Sequence, residues 1–160
     1  MSMKSVSSYQ DLLEILDDKG TLKDAVIASN KLLKDCADIK AMHNVEIKDE
    51  TFMGNLVNVE SVRNVTIHKG VRLEDLSNLG NLDFTFLGRC VVTGLASITN
   101  MNNIEIPEGV KLHGFSDIKK MRKVRIKGSV YYHGTVMSMK DVSILGPGEL
   151  YRITSSTMNI

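Results

Sequence analysis

The groups in this sequence that could do chemistry are few. His113-Gly114 and His133-Gly134 stand twenty residues apart, and two imidazoles set side by side could share a divalent metal. A zinc site takes further protein ligands, and the corresponding earlier position holds Thr93. The pair therefore reads as turn histidines, and no metal is expected. Cys36 and Cys90 form no CxxC pair; both fall at apolar positions of the pattern below, where a thiol behaves as a small core hydrophobe.

Residues 119–127 read KKMRKVRIK, six basic side chains with no acidic one. That makes Lys119, Lys120, Arg122 and Lys123 candidate contacts for an anionic partner. Met121, Val124 and Ile126 interrupt the run as apolar positions, so its charges are expected to spread over two faces and a corner. Aromatic residues are only 5% of the chain, too few for base-stacking platforms, and nucleic acid is not the expected partner. The glycines build neither GxGxxG nor GxxxxGK[ST], which excludes the usual phosphate loops. With no nucleophile–base pair and no row of carboxylates on successive coils, no catalytic residue and no cofactor is assigned, and the protein is read as not an enzyme.

The scaffold that must position any site is a repeat. NVEI begins at Asn44, NVTI at Asn64, DFTF at Asp83, NIEI at Asn103, KVRI at Lys123 and DVSI at Asp141, at intervals of 20, 19, 20, 20 and 18 residues. Other apolar positions travel with them: Leu56, Val59, Val62, Val65, Ile67, Val71 and Leu73 in one unit match Leu95, Ile98, Met101, Ile104, Ile106, Val110 and Leu112 two units on. Spacing by two puts both side chains on one face of a strand, and spacing by three suits a turn-like or 3₁₀ path. A unit of twenty residues cannot bury its own apolar face, so neighbours must stack on a shared core. The expected fold is α+β: a helical cap over 1–35, then one cooperative parallel β-solenoid over 36–160 with about six coils.

The cap is read as two helices. Ser8 with Asp11 resembles a capping box ahead of Leu12, Leu13, Ile15 and Leu16, and Gly20 would close that helix. Thr21 with Asp24 would cap a second helix through Leu22, Val26, Leu32 and Leu33. Before the strand stands a row of Asn44, Asn64, Asp83, Asn103, Lys123 and Asp141, residue types suited to a repeating corner. After Ile144 the pattern runs into GPG at 146–148, a weakly capped end that leaves room for self-association.

The order Phe115, Ile118, Met121, Val124, Ile126, together with IEIPEGV at 104–110, resembles the BspA-type leucine-rich repeat. The resemblance covers about 36–145. The units here are about three residues shorter, and the family's proline after the strand occurs once, at Pro107. It implies a strand-lined solenoid that recognises other macromolecules, in proteins that are often bacterial or protozoal and surface-associated.

Between the two strand positions, the outward side chains are Glu46, Thr66, Thr85, Glu105, Arg125 and Ser143; just after them come Lys48, His68, Leu87, Pro107, Lys127 and Leu145. The expected binding face for a protein partner is Glu46, Lys48, Thr66, His68, Thr85, Glu105, Arg125 and Lys127, a rigid mixed-charge surface. The competing expectation is a structural component, a fibre, tail or self-associating scaffold. Net charge is +1, with no global pull toward nucleic acid or membrane. No apolar run is long enough for a transmembrane segment. MSMKSVSSYQ lacks the apolar stretch of a Sec signal peptide, so the expected location is cytoplasmic, or exported by another route.

Overall fold

The computed structural model describes residues 2–132, 134–145, 153–155 and 158–159. It shows one short helix followed by parallel strands stacked as a β-solenoid of about seven turns. GPG at 146–148 and His133 lie outside the described residues.

Each coil carries one long and one short strand. The long-sheet strands are β1 (Lys4–Val6), β2 (Thr21–Ile27), β4 (Ala41–Ile47), β6 (Ser61–Ile67), β8 (Phe84–Phe86), β10 (Asn100–Ile106), β12 (Lys120–Ile126), β15 (Ser138–Ile144) and β17 (Met158–Asn159). The short ones are β3 (Leu32–Leu33), β5 (Phe52–Met53), β7 (Arg72–Leu73), β9 (Cys90–Val92), β11 (Val110–Leu112) and β13 (Ser129–Val130); β14 (Gly134–Val136) pairs with β16 (Ile153–Ser155). All pairings are parallel, and Val45 stands opposite Val65, Ile104 opposite Val124.

The seven-residue strand explains the apolar spacing. In β4, Met42, Val45 and Ile47 are buried while His43 and Asn44 point outward. Strict alternation would not bury both 42 and 45. Asn44 resets it by taking a left-handed backbone, φ 53°, as do Asp24, Asn64, Asn103, Lys123 and Asp141 in their strands. Short amides and carboxylates reach that region at lower cost than other side chains. The expected corner is therefore real, but it lies inside the strand, so Met42-to-Val45 spacing is a bent strand and not a 3₁₀ path. The other three-residue step is a tight turn as expected: Ile39 N–H donates to Cys36 O (3.1 Å), Val59 to Leu56 (3.2 Å) and Leu79 to Leu76 (3.2 Å).

A further left-handed row holds Asn55, Asp75, Gly94 and Gly114. A Cβ on Gly114 would lie 2.8 Å from Gly94 N, so position 114 takes glycine where Asn55 and Asp75 stand in earlier coils. The core is continuous along the axis, from Leu12 and Leu22 through Leu79 and Ile106 to Val142, each fully buried. Cys36 and Cys90 belong to it, at 0% and 3% exposure.

The N-terminal cap differs from expectation. The helix α1 is Tyr9–Ile15, started by the Ser8 side chain accepting from Asp11 N–H. It ends at Leu16, short of Gly20, which bends the chain into β2 with φ 77°. The second helix does not form. Residues 21–27 are a strand in register with β4, because Leu22, Ala25 and Ile27 occupy the same three core positions as Met42, Val45 and Ile47. Shared burial with a neighbouring coil outweighs helix propensity in so short a segment. The edge of β2 is covered by β1, with Ser5 opposite Val26, and Leu12 of α1 seals the core end. Tyr9 Oη donates to Asp38 Oδ2 (2.6 Å), which pins the helix to the coil beneath.

The register of the short strands departs from the twenty-residue interval at one step. Lys111 pairs with Ser129 and Leu112 with Val130, so Val130 stacks on Leu112 and not on Val110. The chain turns more tightly here: Lys127 and Gly128 N–H both donate to Ile106 O (2.8 and 3.0 Å), and a Cβ on Gly128 would lie 2.4 Å from Pro107 O.

Candidate functional site

The left-handed residue divides each long strand into two straight halves, and the sheet into two outward half-faces. On the second half stand the expected docking residues. Glu46, Thr66 and Thr85 are in register across β4, β6 and β8; Glu105, Arg125 and Ser143 are in register across β10, β12 and β15.

These two groups are not one ladder. The long sheet ends at β8, and a new one begins at β10 with no hydrogen-bonded pairing between them, while the short sheet runs on from β7 through β9 to β11. The rod is split on one side. Two cavities of about 350 and 440 Å³ open along the split and share Asp83, Phe84, Asn103 and Ile104. The expected flat, contiguous surface is thus corrected to two flat patches separated by a cleft.

One residue is missing beside the split. Coil 65–84 is one shorter than its neighbours, and the position that Arg63 fills in β6 has no counterpart between Leu82 and Asp83. No residue there takes the left-handed bend, so the first half of the strand is absent and Leu82 is only partly buried. Asn81 stands in for the lost strand: its Oδ1 accepts from Val62 N–H (3.1 Å) and its Nδ2 donates to Val62 O (2.7 Å). Asp83 Oδ2 accepts from Asn64 N–H (3.0 Å).

On the first patch the charges are tied together. Glu46 Oε1 accepts from Lys48 Nζ (2.8 Å) and contacts His68 Nε2 (2.6 Å), whose Nδ1 lies 3.6 Å from Asp49. Hydrogen bonds from Lys48, then His68, hold the Glu46 carboxyl below its ordinary value of 4.5. On the second patch Lys127 Nζ is 3.7 Å from Glu105. Between the patches the following row is apolar: Leu87 is 58% exposed, and Pro107 lines the cleft.

The basic run divides as expected. Lys120 and Arg122 lie on the first half of β12, Lys123 at the bend, Arg125 and Lys127 on the second side. Lys119 Nζ is 3.9 Å from Asp117. The four candidate anion contacts thus do not share a patch with Arg125.

His113 is stacked on Tyr131, ring centroids 4.1 Å apart at 8°, the residue that the pairing of Leu112 with Val130 sets beside it. Burial, then Lys111 and Arg72, push the His113 imidazole below its ordinary value. Among the described residues no three His, Cys, Asp or Glu side chains cluster as metal ligands, and no helix is long and apolar enough to cross a membrane.

Sequence reasoning missed the first half-face. Assigning Lys23 to a helix concealed that Lys23, His43 and Arg63 stand opposite one another in β2, β4 and β6. The signal was present: DAVI at 24–27 precedes NVEI at 44–47 by the same twenty residues. Comparison of the chain with models of known families, with characterised proteins and with solved structures finds no match.

Proposed function

We propose that the protein is a non-catalytic interaction module, akin to BspA-type repeats, that docks a protein partner on the second half-face across the split. The observation that carries this reading is the distribution of side chains there. Leu87 and Pro107 form an apolar centre beside the cleft, and Glu46, Lys48 and His68 on one side and Glu105, Arg125 and Lys127 on the other form charged rims. An apolar centre ringed by polar groups is the usual anatomy of a protein interface. Thr66 and Thr85 lie between, small enough to let a partner approach the sheet.

The test is capture from lysate by wild type and by the Glu46→Ala, Glu105→Ala, Arg125→Ala triple variant, followed by titration of the purified partner. Leu87→Asp is expected to weaken that titration by about tenfold or more, as loss of a central contact does. A partner that binds the Leu87→Asp chain as tightly as wild type would defeat the reading. Recovery of only the protein itself would transfer it to a self-assembling scaffold.

A further inference from the structure

The split leaves main-chain groups without partners. After each long strand the next residue's N–H reaches back to the previous coil: Lys48 donates to Ile27 O, His68 to Ile47, Leu87 to Ile67, Lys127 to Ile106 and Leu145 to Ile126. The step that breaks this row falls at Pro107, which has no N–H to give Phe86 O. The other end of the strands breaks at the same step: Gly80 N–H donates to Glu60 O and Lys119 N–H to Thr99 O, but no bond joins Thr99 to Gly80. Along a paired strand, successive residues turn their N–H and C=O to opposite sides. Asp83 O and Leu87 N–H face β6, so Phe84 and Phe86 present theirs to the split. Ile106 O faces β12, so Glu105 presents its own from the far side. Among the described residues none of these groups has a protein partner. The core beneath is also less covered: Phe84, Phe86 and Ile104 are 6, 7 and 7% exposed, whereas Val65, Ile67, Val124 and Ile126 in the same positions are at 0–1%.

Two unpaired edges that face each other over thinly covered core residues have the form of a missing strand. We infer that the split takes an extended segment of the protein partner as an added strand, bonded to Phe84 and Phe86 on one side and to Glu105 on the other. The inference rests on the docking reading and adds what the partner presents. Its main chain lies in the split, with alternate apolar side chains turned down onto Phe84, Phe86 and Ile104 and the others outward between Thr85 and Glu105. A helix has spent its main-chain groups internally, and a saccharide or nucleic acid lacks N–H and C=O alternating at a strand's repeat of about 6.8 Å. The added strand needs about 9.6 Å between β8 and β10, two ladder spacings. It starts from the cavities of about 350 and 440 Å³ already open there. The short sheet, unbroken from β7 through β9 to β11, is the hinge on which the coils part.

The test selects linear peptides of about nine residues from a displayed library on the full chain. The tightest binder is then resynthesised twice, with one N-methyl group at either of two successive central residues. The unmodified peptide should slow amide exchange at Phe84, Phe86 and Glu105. Each N-methyl group should weaken binding roughly tenfold, because successive residues of an inserted strand bond opposite edges. The protein is the same in every arm, so no folding defect can imitate the loss. Selection of no peptide, unchanged exchange at those three amides, or N-methyl peptides that bind within about twofold of the parent would overturn the inference. The docking reading falls by a different result, a partner that binds the Leu87→Asp chain as tightly as wild type.

Discussion

Lys123 holds the same left-handed backbone, φ 53°, as Asn44 and Asn64 in their coils, without the short polar side chain that makes this conformation accessible. Asn64 and Asn44 also continue a ladder, Asn64 Nδ2 donating to Asn44 Oδ1 (3.0 Å). Lys123→Asn is therefore expected to stabilise the protein by about 0.5–1 kcal/mol in urea denaturation; no change or a loss would count against strain at this bend. The thiols of Cys36 and Cys90 are pushed up to about 12, in both cases chiefly by burial. At pH 8 they should resist a maleimide in the native state and react once unfolded. Glu46 has a depressed folded pKa, so its contribution is complete above its ordinary value of 4.5 and is lost as pH falls through the lower folded value. Glu46→Gln should flatten the fall of stability in that acid range, read from thermal melts.

At the scale of elements, the coil that lacks one residue borders the place where the long sheet ends. Asn81→Ala would leave the Val62 N–H and C=O without the amide that now meets both, at a cost of about 1–2 kcal/mol. Inserting one asparagine between Leu82 and Asp83 should restore the bend, extend β8 and close the long sheet. Amide exchange in β10 would then slow; unchanged exchange would place the cause of the split elsewhere. The same coil shows what could be read from the chain. The repeat, the core positions and the corner row were legible because each recurs with its neighbours at one interval. The split was not, because a shift from 20 to 19 residues looks like ordinary variation until the missing position is seen to be a bend. Residues 21–33 misled for another reason: Leu22, Val26, Leu32 and Leu33 fit a helical period, whereas the structure buries Leu22, Ala25 and Ile27 and leaves Leu32 62% exposed. Helical spacing and bent-strand spacing share the three-residue step, and only agreement with the next coil separates them. His113 likewise aligned with His133 by counting, but pairing of Leu112 with Val130 sets Tyr131 over it.

At the scale of the whole molecule, every coil borrows its core from two neighbours. A charge at Leu79 or Ile106, both fully buried, has no partner on either side. Leu79→Asp is expected to cost more than about 4 kcal/mol and to abolish the single unfolding transition; damage confined by hydrogen exchange to one coil would argue against a shared core. The rod also keeps two half-faces apart, with Arg125 on one and Arg122 on the other of a single strand, divided by Lys123. The central claim is the proposal that a protein partner docks on the second half-face and not on the first. Its most direct measurement sets two triple-alanine variants side by side, one at Glu46, Glu105 and Arg125 and one at Arg63, Arg122 and Lys140, against the purified protein partner at low and moderate salt. The account predicts that the first loses the partner and the second keeps it at both salts. Loss of the partner in the second variant, or its retention in the first, would contradict the account.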